Sequence, residues 1–205
     1  ANYAKGLSKY LSKTNNSEEI LHEAVREIER GIRRAGDIVE KVRSYSKSSK
    51  DPLSVISLKD CAQRAIDSIK AFAPSQLQIF ADLNSNPEIE ADPLEIELLI
   101  FNLLKNAAEA VEPLGKNGSI ICAIEESETQ AILSVKDNGP RISSEKLEKM
   151  KSALQESVKP DGLGLGLSII LAIAEKYRAK IDFEQLEPQG LQISITFPEQ
   201  KNENL

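Results

Sequence analysis

Apolar residues near the start of the chain recur at alternating steps of four and three. Between residues 18 and 47 they form one seam: Leu21, Val25, Ile28, Ile32, Ala35, Val39 and Val42. This heptad pattern predicts a single long helix. A shorter apolar stripe in residues 1–13, followed by a polar turn at 14–17, predicts another helix before it. The two helices are expected to form an antiparallel hairpin.

The seam of the long helix is too narrow to be buried within one hairpin. We therefore expect a homodimer through helix 18–47, assembled as a four-helix bundle. The alternative is an amphipathic helix that packs on its own domain. Residues 44–52 are polar, rich in serine and end in proline, a composition typical of a linker. The sequence thus predicts a helical domain at 1–48 and a second domain at 52–199.

The second domain mixes strand and helix periods. Alternating or short apolar runs predict strands at 54–57, 77–83, 88–91, 119–125, 131–136, 180–185 and 191–197. Helical patterns cover 58–72, 92–111 and 143–153, and a last helix begins at Leu167. Asp92 and Pro93 suit the N-cap and first position of the second of these helices. The order β-α-β-β-α-β-β-α-α-β-β predicts an α+β fold, a two-layer sandwich of a sheet on helices.

The composition argues against two kinds of partner and indicates the redox state of the compartment. The net charge of −6 argues against a nucleic-acid binder. No apolar run approaches the ~20 residues that span a bilayer, so we expect no membrane contact by this stretch. The two cysteines, Cys61 and Cys122, are far apart, and we interpret them as buried thiols in a reducing compartment.

The most apolar helix, 92–111, is interrupted by two asparagines. Asn102 and Asn106 are four residues apart and therefore share a face. Buried amides need partners, which the backbone could supply. A hydrated Mg²⁺ with a polyphosphate would satisfy them equally, because Mg²⁺ prefers oxygen ligands.

Two further stretches carry candidate chemistry. Strand 131–136 runs into Asp137-Asn138-Gly139-Pro140, where a carboxylate beside a glycine could accept from a ligand amine; a simple turn is the alternative. Later, Gly162, Gly164 and Gly166 alternate with leucines directly before a helix. Bare backbone N–H groups at a helix start bind phosphate, although a tight loop before a core helix would show the same pattern.

The three stretches together resemble the sensor histidine kinases of two-component systems. The matching motifs are the N box at 102–110, the G1 box at 137–140 and the G2 box at 162–168. These kinases share a Bergerat-type ATP-binding fold with gyrase, mismatch-repair and heat-shock chaperone ATPases. The resemblance extends over essentially the whole chain, including the helical hairpin, which corresponds to a truncated dimerisation domain.

The resemblance implies ATP and Mg²⁺ as cofactors and a role for each motif residue. Asn106 would coordinate Mg²⁺, supported by Asn102, and Asp137 would accept from the adenine amino group, with Gly139 allowing close approach. A lid over roughly 140–162 would end in the glycine stretch, which contributes the remaining nucleotide contacts: Gly162, Leu163, Gly164, Leu165 and Gly166. Lys159 would reach a phosphate, unless it is a solvated lid lysine.

The implied reaction is transfer of the ATP γ-phosphoryl group to a histidine and then to an aspartate on a response-regulator receiver domain. ATP-hydrolysing relatives carry glutamate where this chain has Asn102, and asparagine is no base for water at neutral pH. Cytoplasmic localisation, as part of an inner-membrane sensor kinase, is implied as well. Two rivals remain: an anti-sigma-factor-type serine kinase, which would lack the hairpin, and a degenerate, non-catalytic dimeric signalling module.

The sequence departs from the family pattern at three points. Its one histidine, His22, lies in the second helix and lacks the His-Glu-x-x-x-Pro motif. We therefore expect the acceptor histidine upstream of Ala1 and no autophosphorylation by this chain. Arg141 replaces the second glycine of the G1 box, and residues 150–156 replace the phenylalanine-rich F box of the lid. Both changes bear on the affinity for ATP and on the closure of the lid.

Overall fold

The computed structural model describes residues 53–72, 77–127, 129–152, 154 and 165–198. All of them belong to the unit Asp51–Leu205. Several predictions lie outside the described residues: the hairpin and dimer helix at 1–48, His22, and the lid segment with Lys159, Gly162, Leu163 and Gly164. Within the described part, no helix combines the length and apolarity needed to cross a membrane.

The order of strands and helices predicted for the second domain is confirmed in the described residues. The strands are β1 Ser54–Ser57, β2 Gln78–Asp82, β3 Glu88–Ala91, β4 Ser119–Ser127, β5 Gln130–Asp137, β6 Lys180–Gln185 and β7 Leu191–Pro198. The helices are α1 Leu58–Phe72, α2 Pro93–Val111, α3 Ser144–Ser152 and α4 Leu165–Lys176, with a 3₁₀ helix at Glu112–Asn117 after α2.

Five strands form one sheet in the order β2-β4-β5-β7-β6, and β1 pairs with β3 in a separate antiparallel ribbon. Strand β2 runs parallel to β4, whereas the other neighbours in the large sheet are antiparallel. Alternate residues of the central strands are buried, including Ile120 and Cys122 on β4 and Leu133 and Val135 on β5. This period of two gives the sheet one apolar face.

Helix α2 packs against this sheet and between α1 and α4. Its N-cap is as expected: Asp92 accepts a hydrogen bond from the Leu94 N–H, and Pro93 follows at the first position. Most of its apolar side chains are fully buried: Ile96, Leu99, Ile100, Leu103 and Leu104. The observed layers confirm the predicted two-layer α+β sandwich.

Both cysteines are free and buried, as the sequence predicts. Burial raises the pKa of the Cys61 thiol to about 11 and that of Cys122 to about 12. At neutral pH both therefore remain protonated, apolar core residues.

The structure differs from the prediction in two details near the candidate site. Helix α4 begins at Leu165 rather than Leu167, so that Leu165 and Gly166 lie in its first turn. A 3₁₀ helix, which the sequence pattern did not indicate, separates α2 from β4. Its last residues lead into Gly118 and Ser119, so that β4 starts beside the end of β5.

Candidate functional site

Helix α2 carries the two asparagines of the candidate site one turn apart. Asn102 is 1% exposed, and its amino group donates to the Leu98 carbonyl oxygen at 2.8 Å. The backbone thus satisfies part of this amide, which is the first of the two alternatives that the sequence left open. Asn106 is only half-buried, and no described group hydrogen-bonds its amide. Because Asn106 is more exposed than Asn102, its oxygen is the more accessible of the two to a ligand.

Gly166 brings the start of α4 against both amides. A Cβ on this residue would lie 3.0 Å from Asn106 Oδ1 and 3.2 Å from Asn102 Oδ1. A side chain here would press on the two amides and displace them slightly. Backbone N–H groups at the start of a helix lack partners within the helix and carry a partial positive charge. The N-terminus of α4 and the Asn106 oxygen therefore face the same small region.

Asp137 closes strand β5 as a buried carboxylate, 6% exposed. It accepts hydrogen bonds from the backbone N–H of Gly139, at 2.7 Å, and of Leu191. Burial raises its pKa, and these two hydrogen bonds oppose that rise. A carboxylate offers about four acceptor sites, so the turn around Asp137 leaves it able to accept from a further donor.

Gly139 joins the Asp137 turn to the end of α2. A Cβ on Gly139 would lie 2.8 Å from Asp137 Oδ1 and 3.0 Å from the Ala110 carbonyl oxygen. Ala110 is one helical turn beyond Asn106, so the Asp137 turn stands about 6 Å along the helix axis from the Asn106 level. Of the six predicted site residues that the structure describes, five therefore meet around the C-terminal half of α2: Asn102, Asn106, Asp137, Gly139 and Gly166. The sixth, Leu165, directly precedes Gly166 in the first turn of α4.

Asn138 has a structural role that the motif alone does not reveal. Its side chain accepts from the Ser119 N–H at 2.8 Å and donates to the Asn117 carbonyl oxygen at 2.8 Å. The turn after β5 is thereby fastened to the start of β4. This leaves Asp137, rather than Asn138, as the polar side chain of the motif that is available for binding.

The connection between β6 and β7 supports the Asp137 turn from the other side. Gly190 has a φ of +108°, and a Cβ there would overlap the backbone oxygen of Asp137. Gln189 donates to the Asn138 carbonyl oxygen at 2.8 Å, and Gln185 accepts from the Ile142 N–H at 3.1 Å. Nothing in the local sequence at 188–190 indicates this contact with a segment some fifty residues earlier.

Arg141 takes part in the same contact. Its guanidinium forms an ion pair with Glu187 at 2.7 Å, with both side chains largely exposed. The arginine that replaces the family's second glycine thus reaches toward the β6–β7 connection. Of the segment in the place of the F box, Met150 is buried against the core as part of α3.

Comparisons with known proteins agree with this geometry. Residues 91–201 match the family described as histidine kinase-, DNA gyrase B-, and HSP90-like ATPase. The chain is 33% identical over 184 residues to sensor histidine kinase TmoS of Ectopseudomonas mendocina, covering 86% of this chain and 18% of TmoS. It is 27% identical over 197 residues to sensor histidine kinase ZraS of Salmonella typhi, covering 95% of this chain and 42% of ZraS.

Solved structures show the same fold. The nucleotide-free catalytic domain of histidine kinase ThkA is 25% identical, with a TM-score of 0.58 over 73% of this chain and 98% of that domain. ThkA in complex with response regulator TrrA is 21% identical, with a TM-score of 0.66 over 97% of this chain and 56% of that chain. The chain spans less than half the length of TmoS and ZraS. It belongs to the histidine kinase-, DNA gyrase B- and HSP90-like ATPase family, and it is a relative of the sensor histidine kinases with an ATP-binding domain of their type.

Proposed function

We propose that this chain is the kinase core of a two-component sensor histidine kinase. It binds Mg-ATP, and the γ-phosphoryl group passes to a histidine and then to an aspartate of a response regulator. One observation carries the proposal: the Asn106 amide, which has no hydrogen-bond partner among the described residues, faces the N-terminus of α4 at Gly166, while the buried Asp137 carboxylate stands beside α2. One end of this site suits a metal and phosphates, and the other suits a base with an exocyclic amine.

The residues present fit both ATP and Mg²⁺. Asn106 offers a neutral oxygen, the ligand type that Mg²⁺ takes alongside water and phosphate oxygens. At Gly166 and Gly139 the lack of a Cβ lets the start of α4 and the Asp137 turn lie close to α2. When bound, ATP supplies the phosphoryl group, and Mg²⁺ neutralises the charge on the phosphate oxygens.

The residues of this chain bind the nucleotide and orient it. Asp137 accepts from the adenine amino group, and Gly139 lets the base approach that carboxylate. The N-terminus of α4 at Leu165 and Gly166 presents backbone N–H groups to the phosphates. Asn102 supports the Asn106 side of the site. Asparagine is not a base at neutral pH, so this residue does not activate water. Lys159, Gly162, Leu163 and Gly164 complete the phosphate side in this proposal.

The rest of the proposal concerns partners and domain organisation. Residues 1–48 would form the dimerisation hairpin, with homodimer contacts through 18–47, and residues 52–199 the catalytic domain. The acceptor histidine would lie outside this chain, since the sequence around His22 lacks the acceptor motif. The ThkA–TrrA complex supports a response-regulator partner. By resemblance to sensor kinases, the chain would work on the cytoplasmic side of a membrane sensor. The relatives found are sensor histidine kinases and do not favour the serine-kinase or degenerate-module alternatives.

Isothermal titration calorimetry of the 205-residue chain with ATP, with and without Mg²⁺, tests the proposal. We expect saturable binding that weakens about tenfold or more in Asn106→Ala and Asp137→Asn, the size of losing one charge-assisted contact. Asn84→Ala, at an exposed asparagine between β2 and β3, is the matched control and should bind normally. Absence of binding at millimolar Mg-ATP would refute the kinase function.

Phosphoryl transfer needs a second assay. A version of the protein that includes a His-Glu-x-x-x-Pro acceptor motif should incorporate ³²P from γ-labelled ATP and pass it to a receiver domain. His22→Ala in that protein should label normally. Loss of labelling on that substitution alone would assign the acceptor to His22 instead.

A further inference from the structure

Helices α2 and α4 are held together at both ends. At one end, Gly166 at the start of α4 meets Asn106. At the other, the Tyr177 hydroxyl, directly after α4, donates to Glu95 Oε2 at 2.5 Å and accepts from the Asp92 N–H at 3.0 Å. Because the sequence order of the contacts is reversed between the helices, the two run antiparallel.

The two contacts have matching spacing. Glu95 and Asn106 are eleven residues apart on α2, and Gly166 and Tyr177 are eleven residues apart along α4 and its last turn. Eleven residues are about three turns, so each pair lies on one face of its helix. The Tyr177 N–H still bonds the Ile173 carbonyl oxygen, so its backbone continues the last turn of α4. The Glu95–Tyr177 contact and the Asn106–Gly166 contact therefore lie along one seam.

We propose that Glu95 and Tyr177 are positioning residues that fix the axial register of α4 against α2 and thereby hold Gly166 at the Asn106 amide. This rests on the proposed function. A helix is stiff along its axis, so a slip at Tyr177 moves Gly166 by a similar distance. One residue of slip is about 1.5 Å, half of the 3.0 Å that separates the Gly166 Cβ position from Asn106 Oδ1.

The chemistry of this contact suits a fixed register. Burial raises the pKa of Tyr177, and the hydrogen bond to Glu95 raises it further, so the hydroxyl remains a donor at any physiological pH. Lys176 adds an ion pair to Glu95 at 2.7 Å, but its amine is half exposed and sits on a flexible stem. The directional part of the contact is therefore the hydroxyl, which bridges Glu95 and the N-cap backbone of α2.

A shift of α4 along α2 should affect the binding of only one end of the nucleotide. Asp137 and Gly139 belong to β5 and the turn after it and do not depend on the position of α4. A change in register should weaken binding of the Mg²⁺-phosphate end and leave the adenine end intact. General destabilisation of the domain would weaken both ends or neither.

Tyr177→Phe in the 205-residue chain tests this split. We expect Mg-ATP affinity, measured by calorimetry, to fall between about 3-fold and 10-fold, the range for one net hydrogen bond. Adenosine affinity, measured by NMR titration, should stay within twofold of the unsubstituted chain. In an Asn106→Ala background, Tyr177→Phe should have a smaller effect on Mg-ATP than in the unsubstituted chain, because the Asn106 contact is already lost.

Three other variants serve as controls. Glu95→Gln keeps an oxygen that accepts from the Tyr177 hydroxyl and should retain affinity, whereas Glu95→Ala should reproduce Tyr177→Phe. Lys176→Met removes the ion pair to Glu95 and the contact of the amine with the Tyr177 ring, but it leaves the hydroxyl in place and should retain affinity. Arg64→Met breaks the 2.5 Å ion pair with Glu97 that joins α1 to α2. It should lower Tm without lowering Mg-ATP affinity selectively over adenosine affinity.

The failure of this inference is separable from failure of the proposed function. If the unsubstituted chain does not bind Mg-ATP, the proposed function falls. If that chain binds and Tyr177→Phe or Glu95→Ala leaves both affinities unchanged, or lowers both equally, the positioning role is wrong. The two substitutions together keep the test decisive if one variant does not fold.

Discussion

Asn106 Oδ1 lies 3.0 Å from the point at which a side chain on Gly166 would begin. Two residues sixty positions apart thus share one surface, which joins the N-box helix to the start of the G2 helix. The motifs meet because α2 and α4 pack side by side, and the glycine makes the approach close enough for the amide and the helix N-terminus to face one ligand.

Gly166→Ala should separate binding from stability. The methyl group would displace the Asn106 amide, and we expect Mg-ATP affinity to fall about tenfold, as for the loss of one charge-assisted contact. Alanine favours the helix by up to about 1 kcal/mol over glycine, so Tm should be unchanged or higher. Calorimetry and thermal denaturation provide the two measurements.

The matched control for this glycine is Glu175→Ala, at an exposed position on the same helix. It should leave Mg-ATP affinity unchanged. If Gly166→Ala lowers Tm in proportion to the loss of binding, the glycine serves packing and not the ligand.

The two asparagines of α2 should respond differently to replacement by alanine. Asn102 is buried and donates to the Leu98 carbonyl oxygen, so Asn102→Ala should lower the free energy of unfolding by about 1–3 kcal/mol. Asn106 has no partner among the described residues, so Asn106→Ala should change that free energy by less than about 0.5 kcal/mol. Urea denaturation measures both.

For nucleotide binding, Asn106→Ala should have the larger effect of the two substitutions. Asn106→Ala should abolish the dependence of ATP affinity on Mg²⁺, while Asn102→Ala should keep it. If Mg²⁺ strengthens ATP binding equally in both variants, Asn106 is not the metal ligand.

Local patterns predicted the elements of the domain well because those patterns depend on near neighbours. Asp92 and Pro93 marked the start of α2, and alternation of apolar residues marked the paired strands. The start of α4 was placed two residues late, since glycine disfavours helix. In the structure Gly166 nevertheless lies in the first turn of α4, close to the two asparagines.

The motifs also predicted which residues approach each other, but they gave no account of what supports them. The Glu95–Tyr177 contact joins positions 82 residues apart, and Gly190 supports Asp137 from a hairpin that lies far along the chain. Such contacts depend on how elements pack, and a single sequence carries no local signal for them.

Gly190→Ala should be among the most destabilising single changes in this domain. The residue has a φ of +108°, and a Cβ would overlap the Asp137 backbone oxygen. Overpacking costs about 1–3 kcal/mol, and the backbone conformation adds about 1–2 kcal/mol for a residue with a side chain. Urea denaturation should show the loss.

The control for Gly190 is Gln189→Ala, which removes one hydrogen bond to Asn138 and should cost about 1 kcal/mol. Equal losses in the two variants would mean that the hairpin relaxes around a Cβ, and that Gly190 does not fix the position of Asp137.

Asp137 should give stability and adenine binding opposite dependences on pH. Burial raises its pKa in the folded chain above the ordinary value of 3.8. The folded state therefore holds the proton more tightly than the unfolded state, and the ionised carboxylate costs stability at neutral pH. As pH falls through the raised pKa, the free energy of unfolding should rise relative to Asp137→Asn, and the gain should level off below about 3.8.

Adenosine affinity should fall over the same pH range, because protonation removes acceptor sites from the carboxylate. Urea denaturation and NMR titration from pH 7 downward measure the two effects. Asp182→Asn, at an exposed carboxylate on β6, corrects for the loss of one negative charge. If acid lowers the stability of the unsubstituted chain relative to Asp137→Asn, burial does not govern this carboxylate. If adenosine affinity is flat across the titration, the adenine amine binds elsewhere.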